Sequence, residues 1–308
     1  MTWTIIAKDP ATGQLGIATT THAFGVGPIA DWPKAGVGVV ATQSFVEVSY
    51  GPLGLDLIEQ GVPVREGLDR LLAADEHREI RQVALLDLNG EIAHFTGAKC
   101  VPFCGAVTGD RTIVIGNMLA GEEVVTATLA AYQSSTSAAL ADRLLDALDA
   151  GQAAGGDARG RMSAGLRIVA PDKPAQPWLG TLLDLRVDFS AEPLVQLRRD
   201  LAVSRAYDIF FGSVFGPGLV TGPEPVTGDA LEEALGALGD AQQILGPDRE
   251  ATVWQGVLLL RAGRTDEGCE LIASALGARP EFARFLDGLH ANGSIPLDSA
   301  AILRKAQR

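Results

Sequence analysis

The chain has 308 residues, of which 47% are hydrophobic and 20% charged, so it can bury a core and global disorder is excluded. Its 38 acidic and 25 basic residues give a formal net charge of −13. That balance argues against binding to nucleic acid or anionic membranes, since both need clusters of Lys and Arg. Neither a membrane-spanning run nor a signal peptide is expected, because Lys8 and Asp9 interrupt the first apolar stretch. We therefore expect a cytoplasmic protein.

The first 73 residues predict two strands, a third buried strand and two helices. Residues 3–8 and the segment LGIATTTHAF are β-type, and the turn DPATGQ joins them as a hairpin. The Gly- and Pro-containing segment GVGPIADWPKAG predicts a turn, and the apolar segment VGVVATQSF after it predicts a buried strand. Helical spacing follows over residues 50–59 and 64–73.

The next segments alternate between strands and helices in blocks. The segment RQVALLDLNGEIAHFTG predicts a second hairpin with Asn89-Gly90 at its turn, and RTIVIGN predicts another strand. Helices are expected over residues 122–132, 138–149 and 193–209, and late strands in MSAGLRIVAP and TLLDLRVDF. Strands and helices grouped in this way predict an α+β or layered sandwich fold rather than a doubly wound sheet. We assign this domain to residues 1–211.

The composition changes after this domain. Residues 212–228 are rich in Gly and Pro and predict a linker, and residues 229–308 carry almost no strand signal. This last part predicts a small helical module. Within it, the segment from Val253 to Phe282 resembles a tetratricopeptide helical hairpin, with a turn at Gly263 and Arg264. A single such hairpin needs neighbouring helices or a partner, so it serves either as a docking or dimerisation element or as a helical cap.

No motif in the sequence predicts a cofactor or a metal. Three cysteines (Cys100, Cys104 and Cys269) cannot form a disulfide framework, and the pair in CVPFC lacks a second ligand pair for zinc. We interpret them as core or surface thiols. The two GVG stretches lack the helix and Lys of a phosphate-binding loop, and no HExxH, EF-hand or GxSxG motif is present.

The start of the chain is the most informative feature. Thr2 follows Met1, and a small second residue permits removal of the initiator methionine. The freed α-amine, with a pKa of about 8, could take the proton of the threonine hydroxyl at neutral pH. Thr2 would then carry both nucleophile and base. The alternative is that Met-Thr is a common start without functional meaning.

The context of Thr2 resembles two groupings of proteins. The early strands, IGNMLAGEEVVTATLAAY and GDARGRMSAGLRIV resemble N-terminal nucleophile hydrolases of the proteasome branch. A closer match is the bacterial domain-of-unknown-function 1028 family (DUF1028), carried by TWTIIAKDPATGQLGIA, KAGVGVVATQSFVEVSYGPLGLDLIEQG, GNMLAGEEVV and LLDALDAGQAAGGDARGRMSAGL. The resemblance implies a four-layer αββα sandwich and leaves the reaction open.

The sequence departs from the proteasome pattern at one point. Proteasome-type enzymes carry an Asp at the end of the second strand and a Lys on a following strand. Here that strand ends in ATTTHAF without a carboxylate, and Lys34, just before the next strand, could serve as the second group if the register allows it. Proteasome-like proteolysis is therefore not expected.

Other polar residues are candidates for the site, each with a structural alternative. Thr19, Thr20 and Thr21 are site candidates or ordinary strand threonines, and His22 binds substrate or is structural. Gln43 ends a buried strand, where a polar side chain could face a cleft. Asn117 could hold an oxyanion or simply form a turn. The remaining candidates share one Gly-rich loop, which could hold the terminal amine and a substrate carboxylate or be an exposed ion-paired loop: Asp157, Arg159, Arg161 and Ser163.

These observations favour an N-terminal threonine amidohydrolase that cleaves a C–N bond of a small amide or cyclic amide. Thr2 would form the acyl-enzyme, and Asn117 or nearby backbone N–H groups would hold the oxyanion. The alternative is a non-catalytic binding or scaffolding protein that uses the helical module. In either case we expect a homo-oligomer, with a small-molecule amide as the ligand of the enzyme.

Overall fold

The computed structural model describes residues 2–137, 139–215 and 225–307. The contacts between residues divide the chain into two units, Met1–Arg199 and Asp200–Arg308, and each is a compact unit of its own. Nowhere in these described ranges does a helix have both the length and the apolar character required to traverse a bilayer.

The first unit contains a six-stranded antiparallel sheet, called sheet A here. Its strands in chain order are β1 (Thr2–Lys8), β2 (Leu15–Thr21), β7 (Gly105–Gly109), β8 (Thr112–Asn117), β9 (Ser163–Val169) and β10 (Thr181–Val187). Their spatial order is β10-β9-β2-β1-β8-β7. The first strand of the chain therefore lies in the interior of the sheet, with β2 and β8 on its two sides.

A second antiparallel sheet, sheet B, has four strands. These are β3 (Asp31–Lys34), β4 (Gly38–Ser44), β5 (Arg81–Asp87) and β6 (Ile92–Thr96), which pair in chain order. The edge strand β3 contains Pro33, which an edge tolerates because proline has no N–H to give to a neighbouring strand.

The described residues up to Phe215 form six helices, and four of them pack on the outer faces of the two sheets. The six are α1 (Gly27–Ala30), α2 (Tyr50–Glu59), α3 (Val64–Ala74), α4 (Glu123–Ser134), α5 (Leu140–Ala153) and α6 (Pro193–Phe215), with 3-10 turns at Arg78–Ile80 and Pro177–Gly180. The helices α2 and α3 pack on sheet B through Leu55, Leu68 and Leu71. The helices α4 and α5 pack on sheet A, where Gly151 gives room to the indole of Trp3.

The inner faces of the two sheets meet in an apolar core. Ile6 and Ile17 of sheet A pack there against Val39 and Leu86 of sheet B. Because successive side chains of a strand point to opposite faces, Thr2 and Thr4 share the inner face with Ile6. The apolar core therefore gives way to a polar layer at the end of β1 where the chain begins.

The coarse prediction of an α+β fold is confirmed, with two antiparallel sheets and a helical C-terminal region. Both predicted hairpins are present as β1-β2 and β5-β6. The segment GVGPIADWPKAG was wrongly predicted as a plain turn, since it contains α1 and β3. The sequence also gave no indication of β7, whose residues Gly105–Gly109 are rich in glycine.

Helix α6 spans the division between the two units and continues to Phe215. Residues 212–215, which were predicted as the start of a linker, are therefore helical, because the apolar segment before them extends the helix. Residues 216–224 of that predicted linker lie outside the described residues. The domain limits at residues 211 and 229 stay predictions.

The described part of the second unit is helical. Beyond α6 it contains α7 (Asp229–Leu245), a 3-10 turn at Gly246–Asp248, α8 (Glu250–Arg261), α9 (Thr265–Ala278), α10 (Phe282–Ala291) and α11 (Ser299–Ala306). Its core includes Trp254, Leu258 and Ile272. The helices α8 and α9 form the pair that the sequence predicted as a helical hairpin.

Candidate active site

Four polar residues form a row across one end of sheet A. Thr2 begins β1, Thr21 ends β2, Asn117 ends β8 and Ser163 begins β9. The antiparallel register places Thr2 opposite both Thr21 and Asn117, and Thr21 opposite Ser163. All four are buried, and Thr2 is the most exposed of them at 8%. Met1 lies outside the described residues.

Thr2 is held through both its side chain and its backbone. Its Oγ1 lies 3.0 Å from Oγ1 of Thr21, a hydroxyl pair in which either oxygen can donate. Its carbonyl oxygen accepts a hydrogen bond of 3.1 Å from Nε2 of Gln43 and a longer one of 3.5 Å from Nδ2 of Asn117. The side chain of Gln43, on strand β4 of sheet B, therefore contacts the first residue of β1 across the interface between the sheets.

The amide of Gln82 organises this end of the interface. Its Oε1 accepts from Nε2 of Gln43 at 2.7 Å and from Nδ2 of Asn117 at 3.0 Å. Its Nε2 donates to the backbone carbonyl of Gly116 at 2.8 Å. Gln82 is fully buried, so leaving any of these groups unpaired would cost about 1–3 kcal/mol. Three side-chain amides thus form one ordered group beside Thr2.

Asn117 has a different role from the one the sequence predicted. Its amide nitrogen points at Thr2 O and Gln82 Oε1, both acceptors inside the protein, so it is committed to positioning Thr2. Its Oδ1 is buried and has no hydrogen-bond partner among the described residues. An oxygen is an acceptor and cannot stabilise an oxyanion. The side chain of Asn117 is therefore not the predicted oxyanion donor.

A second polar path leads from Thr4 to Asp31. Oγ1 of Thr4 lies 2.9 Å from Oγ1 of Thr19 and 2.7 Å from Oε1 of Gln43. Oγ1 of Thr19 lies 2.6 Å from Oδ1 of Asp31. Burial raises the pKa of the Asp31 carboxyl to about 7. This path and the amide group meet at Gln43, which contacts Thr2.

Two residues at the ends of the site strands adopt a left-handed backbone. Ser44, directly after Gln43, has a φ of 74°, and Met118, directly after Asn117, has a φ of 55°. Residues other than glycine rarely adopt this conformation, and such strain is often retained at functional sites. Both strained residues flank side chains that contact Thr2.

Asp157 holds the segment that follows β2. Its Oδ2 accepts 2.8 Å from the backbone N–H of His22, and its Oδ1 accepts 2.8 Å from the backbone N–H of Arg159. The guanidinium of Arg159 also lies 3.3 Å from the Asp157 carboxylate. The backbone of Asp157 forms a bridge to Leu119, which follows β8. Asp157 therefore connects the segment after β2 with the segment after β8.

Ser163, His22 and Arg161 belong to the same loop cluster. Oγ of Ser163 donates to the carbonyl of Ala23 at 2.6 Å, and Nδ1 of His22 lies 3.2 Å from the carbonyl of Arg161. Arg161 forms an ion pair with Glu192. Neighbouring strands lie about 4.8 Å apart, so Ser163, two strands from Thr2, has its Cα about 10 Å away. The structure thus places this loop beside Thr2 and does not bring its side chains onto it.

Two predicted site residues lie elsewhere. Thr20 points to the face opposite Thr19 and Thr21, toward the helices, and its hydroxyl donates to the carbonyl of Ser163 at 3.1 Å. Lys34 pairs with Gly38 at the far end of β4 and its Nζ lies 2.6 Å from Glu59. Gln43 is five residues along the same strand, about 17 Å away. Lys34 is therefore not the cation of this site.

The sequence did not identify several residues that contribute to the polar layer. Thr4 is one of them; Thr19 and Thr21 were candidates beside Thr20, and the hairpin register places these two on the same face as Thr4. Gln82 carries the same signal as Gln43, a polar residue inside an apolar strand. Asp31 gave no signal, since its segment was interpreted as a turn.

Within the described residues, no group of three or more His, Cys, Asp or Glu side chains is arranged to hold a metal ion. Cys100, Cys104 and Cys269 are free thiols, and burial raises the pKa of Cys104. The polar layer around Thr2 instead consists of hydroxyls and amides. Such groups orient a nucleophile and hold uncharged polar atoms.

Comparison with known proteins gives a family and a related structure. The model of the family of unknown function DUF1028 matches residues 2–197. The crystal structure of protein SPO2555 from Silicibacter pomeroyi, described as DUF1028, is similar, with a TM-score of 0.61 and 28% identity over 73% of this chain and 92% of that chain. None of the curated proteins matches. The family model covers more than half of the chain and includes every residue of the polar row, so the chain belongs to the DUF1028 family.

Proposed function

We propose that this protein is an N-terminal threonine hydrolase that cleaves the C–N bond of a small amide or cyclic amide. The observation that carries the proposal is the environment of Thr2. Its hydroxyl and carbonyl are held by Thr21, Gln43 and Asn117 in a buried polar layer at the end of an interior strand. A hydroxyl held in one orientation loses less freedom when it attacks a carbonyl carbon.

The proposed reaction uses groups of Thr2 itself. After removal of Met1, the α-amine accepts the hydroxyl proton while Oγ1 attacks the amide carbonyl carbon. The amine then gives the proton to the leaving nitrogen as the C–N bond breaks, which leaves an ester on Thr2. Water then attacks this ester and gives a proton to the α-amine, which passes it to Oγ1 as the ester bond breaks and the acid leaves. The α-amine, with a pKa of about 8, is a competent base near neutral pH.

The fold supports this proposal through the layering of its elements. Helices α4 and α5, sheet A, sheet B, and helices α2 and α3 follow one another, and we infer that this is the αββα sandwich of N-terminal nucleophile hydrolases. In those enzymes the first strand carries the nucleophile, as β1 does here with Thr2. The family model also begins at residue 2.

The hydroxyl of Thr2 is the nucleophile of the proposed reaction. In Thr2→Ala, hydrolysis of p-nitrophenyl acetate and of a panel of small amides should fall by at least about 100-fold, because the nucleophile is gone. Thr2→Ser keeps a hydroxyl and should retain part of the activity. Both variants keep a small second residue, so initiator removal is unchanged.

The matched control removes a threonine hydroxyl that lies outside the site. Thr108 is an exposed threonine on the edge strand β7, and Thr108→Ala should leave hydrolysis within about twofold of the unmodified protein. Full hydrolysis by Thr2→Ala, with an unchanged circular dichroism spectrum, would disprove Thr2 as the nucleophile.

A non-catalytic binding or scaffolding protein is the second candidate. It is favoured by the ion pairing of Lys34 with Glu59, which leaves that cation away from Thr2. In this case the helical second unit would carry the interaction. The same variants separate the candidates, since a binding protein predicts no difference in hydrolysis between Thr2→Ala and Thr108→Ala.

A further inference from the structure

The path from Asp31 to Gln43 contains three short contacts between oxygen atoms. They are Asp31 Oδ1 to Thr19 Oγ1 at 2.6 Å, Thr19 Oγ1 to Thr4 Oγ1 at 2.9 Å, and Thr4 Oγ1 to Gln43 Oε1 at 2.7 Å. Each distance lies in the range of an O–H···O hydrogen bond, and each such bond requires one proton. The path therefore needs three protons.

The two hydroxyls supply only two of them. An amide oxygen carries no hydrogen, so Thr4 must donate to Gln43 Oε1. Thr19 must then donate to Thr4, and its own oxygen must accept from Asp31. The third proton belongs to the carboxyl of Asp31. If Asp31 were ionised, the two oxygen atoms of one of these three pairs would face each other without a proton between them.

The orientation of the Gln43 amide is fixed independently. Its Nε2 faces the carbonyl of Thr2 at 3.1 Å and Oε1 of Gln82 at 2.7 Å. A flipped amide would place its oxygen against the Thr2 carbonyl, which can only accept. The orientation of Gln82 is fixed in turn, because its Nε2 donates to the backbone carbonyls of Gly116 and Gly105.

Among the described residues no cation contacts the Asp31 carboxylate, and the nearby charge of Arg167 lowers its pKa less than burial raises it. Arg167 of β9 donates through Nη1 to the backbone carbonyl of Asp31 at 2.9 Å, and its Nε lies 3.3 Å from Asp184 of β10. Arg186 of β10 lies 3.7 Å from Asp184 as well. Oδ2 of Asp31 is buried without a hydrogen-bond partner among the described residues, and a Cβ at Gly165 would lie 2.8 Å from it. An ionised carboxylate in such surroundings would be strongly disfavoured.

We propose that Asp31 is a protonated carboxylic acid in mildly acidic solution, begins to ionise only at neutral pH, and is a positioning residue for Thr2. Its proton orders the chain of donors through Thr19 and Thr4, and this chain orients the Gln43 amide against the Thr2 carbonyl. Burial, which raises the pKa of Asp31 to about 7, acts in the same direction. The positioning role rests on the proposed function of Thr2, whereas the protonation state does not.

Protonated Asp31 gives folding stability a defined dependence on pH. Between about pH 4 and 7 the folded chain holds a proton that the unfolded chain has released, so stability falls as the pH rises through this window. The unfolding equilibrium constant should rise about tenfold per pH unit and level off above the folded pKa. Above that pKa the chain of three hydrogen bonds loses one proton, and Gln43 is held less firmly.

The direct test is the carboxyl-carbon NMR titration of Asp31 in the full chain, labelled at aspartate and assigned through its own backbone resonances. The proposal predicts a midpoint near pH 7. A midpoint at or below about pH 4, the ordinary range of aspartate, would overturn it. This measurement needs no variant and no substrate.

The variant Asp31→Asn extends the test to stability. Its amide N–H can donate to Thr19 at every pH. The unfolding constant of the unmodified chain should therefore contain the tenfold rise per pH unit, and that of Asp31→Asn should lack it. Asp9→Asn is the matched control. Asp9 is equally buried, but the hydroxyl of Thr12 and the guanidinium of Arg143 outweigh burial and lower its pKa, so its removal should leave the slope between pH 4 and 7 unchanged. A slope that persists in Asp31→Asn would contradict the proposal.

Acylation by p-nitrophenyl acetate separates this inference from the proposed function. If Asp31 positions Thr2, the rate in Asp31→Asn relative to the unmodified chain should rise above pH 7, where the unmodified chain loses its proton. A constant ratio would contradict the positioning role. Absence of acylation in both, together with a neutral Asp31 in the NMR titration, would remove the proposed function and leave the protonation state established.

Discussion

The side chains that contact Thr2 in the described structure are polar and uncharged, and together they hold its hydroxyl and its carbonyl. Thr21 contacts the hydroxyl, whereas Gln43 and Asn117 contact the carbonyl. Gln82 connects the two amides. Neutral hydrogen bonds can orient a residue in a buried layer without the desolvation cost of charged groups. None of the three side chains that contact Thr2 is a base. In the proposed reaction the α-amine of Thr2 supplies the base.

Gln43 allows this positioning to be measured. Gln43→Leu should lower the free energy of unfolding by about 2 kcal/mol, because Thr2 O and Gln82 Oε1 lose a donor in a buried layer. It should also slow acylation by p-nitrophenyl acetate. Urea denaturation and the acylation rate are the two measurements.

Gln60 provides the control for that substitution. It is exposed at the end of α2, so Gln60→Leu should change the free energy of unfolding by less than about 0.5 kcal/mol. An equal effect of the two substitutions would show that the amide group at Gln43 contributes nothing specific.

A sequence can show those site residues that differ in polarity from the other residues of their strand. Gln43 was identifiable because it interrupts an apolar strand, and Gln82 has the same pattern. Thr19, Thr20 and Thr21 could not be told apart from the sequence, since the pairing register decides which threonines face Thr2. Asp31 was not identifiable, because its burial arises from β9 and β2, which are distant from it in sequence.

At the scale of elements, local turn signals predicted the strands that pair with their sequence neighbours. Asn89-Gly90 marks the β5-β6 hairpin, and the structure gives Gly90 a φ of 88°. The edge strands β3 and β7 lacked such signals. Pro33 and the glycines of Gly105–Gly109 are unfavourable in central strands and acceptable at an edge, so tertiary pairing rather than local propensity forms these two strands.

The close approach of α8 and α9 gives a prediction about the helical unit. A Cβ at Gly256 would lie 2.4 Å from Ile272 and 2.9 Å from the carbonyl of Gly268. Gly256→Ala should therefore destabilise this unit by about 1–3 kcal/mol, although alanine is the better helix former. Thermal and urea unfolding of the full chain would measure the change.

Gly236 of α7 is the matched control for this helix. A Cβ at Gly236 would meet nothing within 4 Å, so Gly236→Ala should raise stability by up to about 1 kcal/mol through helix propensity alone. Stabilisation by both substitutions would contradict the close packing of α8 on α9.

At the scale of the whole molecule, the family match and the polar row occupy the first unit. The DUF1028 model covers residues 2–197, whereas the second unit begins at Asp200. All the residues that the proposed chemistry uses therefore lie in the first unit. The net charge of −13 does not determine this chemistry, because the groups that contact Thr2 are neutral.

The most direct test of the central claim is the mass of the N-terminal peptide after brief reaction with p-nitrophenyl acetate. We expect a peptide that begins at Thr2 and carries one acetyl group, and no acetyl group on the corresponding peptide of Thr2→Ala. An acylated, hydrolytically active protein that retains Met1, or one in which the acetyl group lies on another residue, would contradict the assignment of Thr2 as an N-terminal nucleophile.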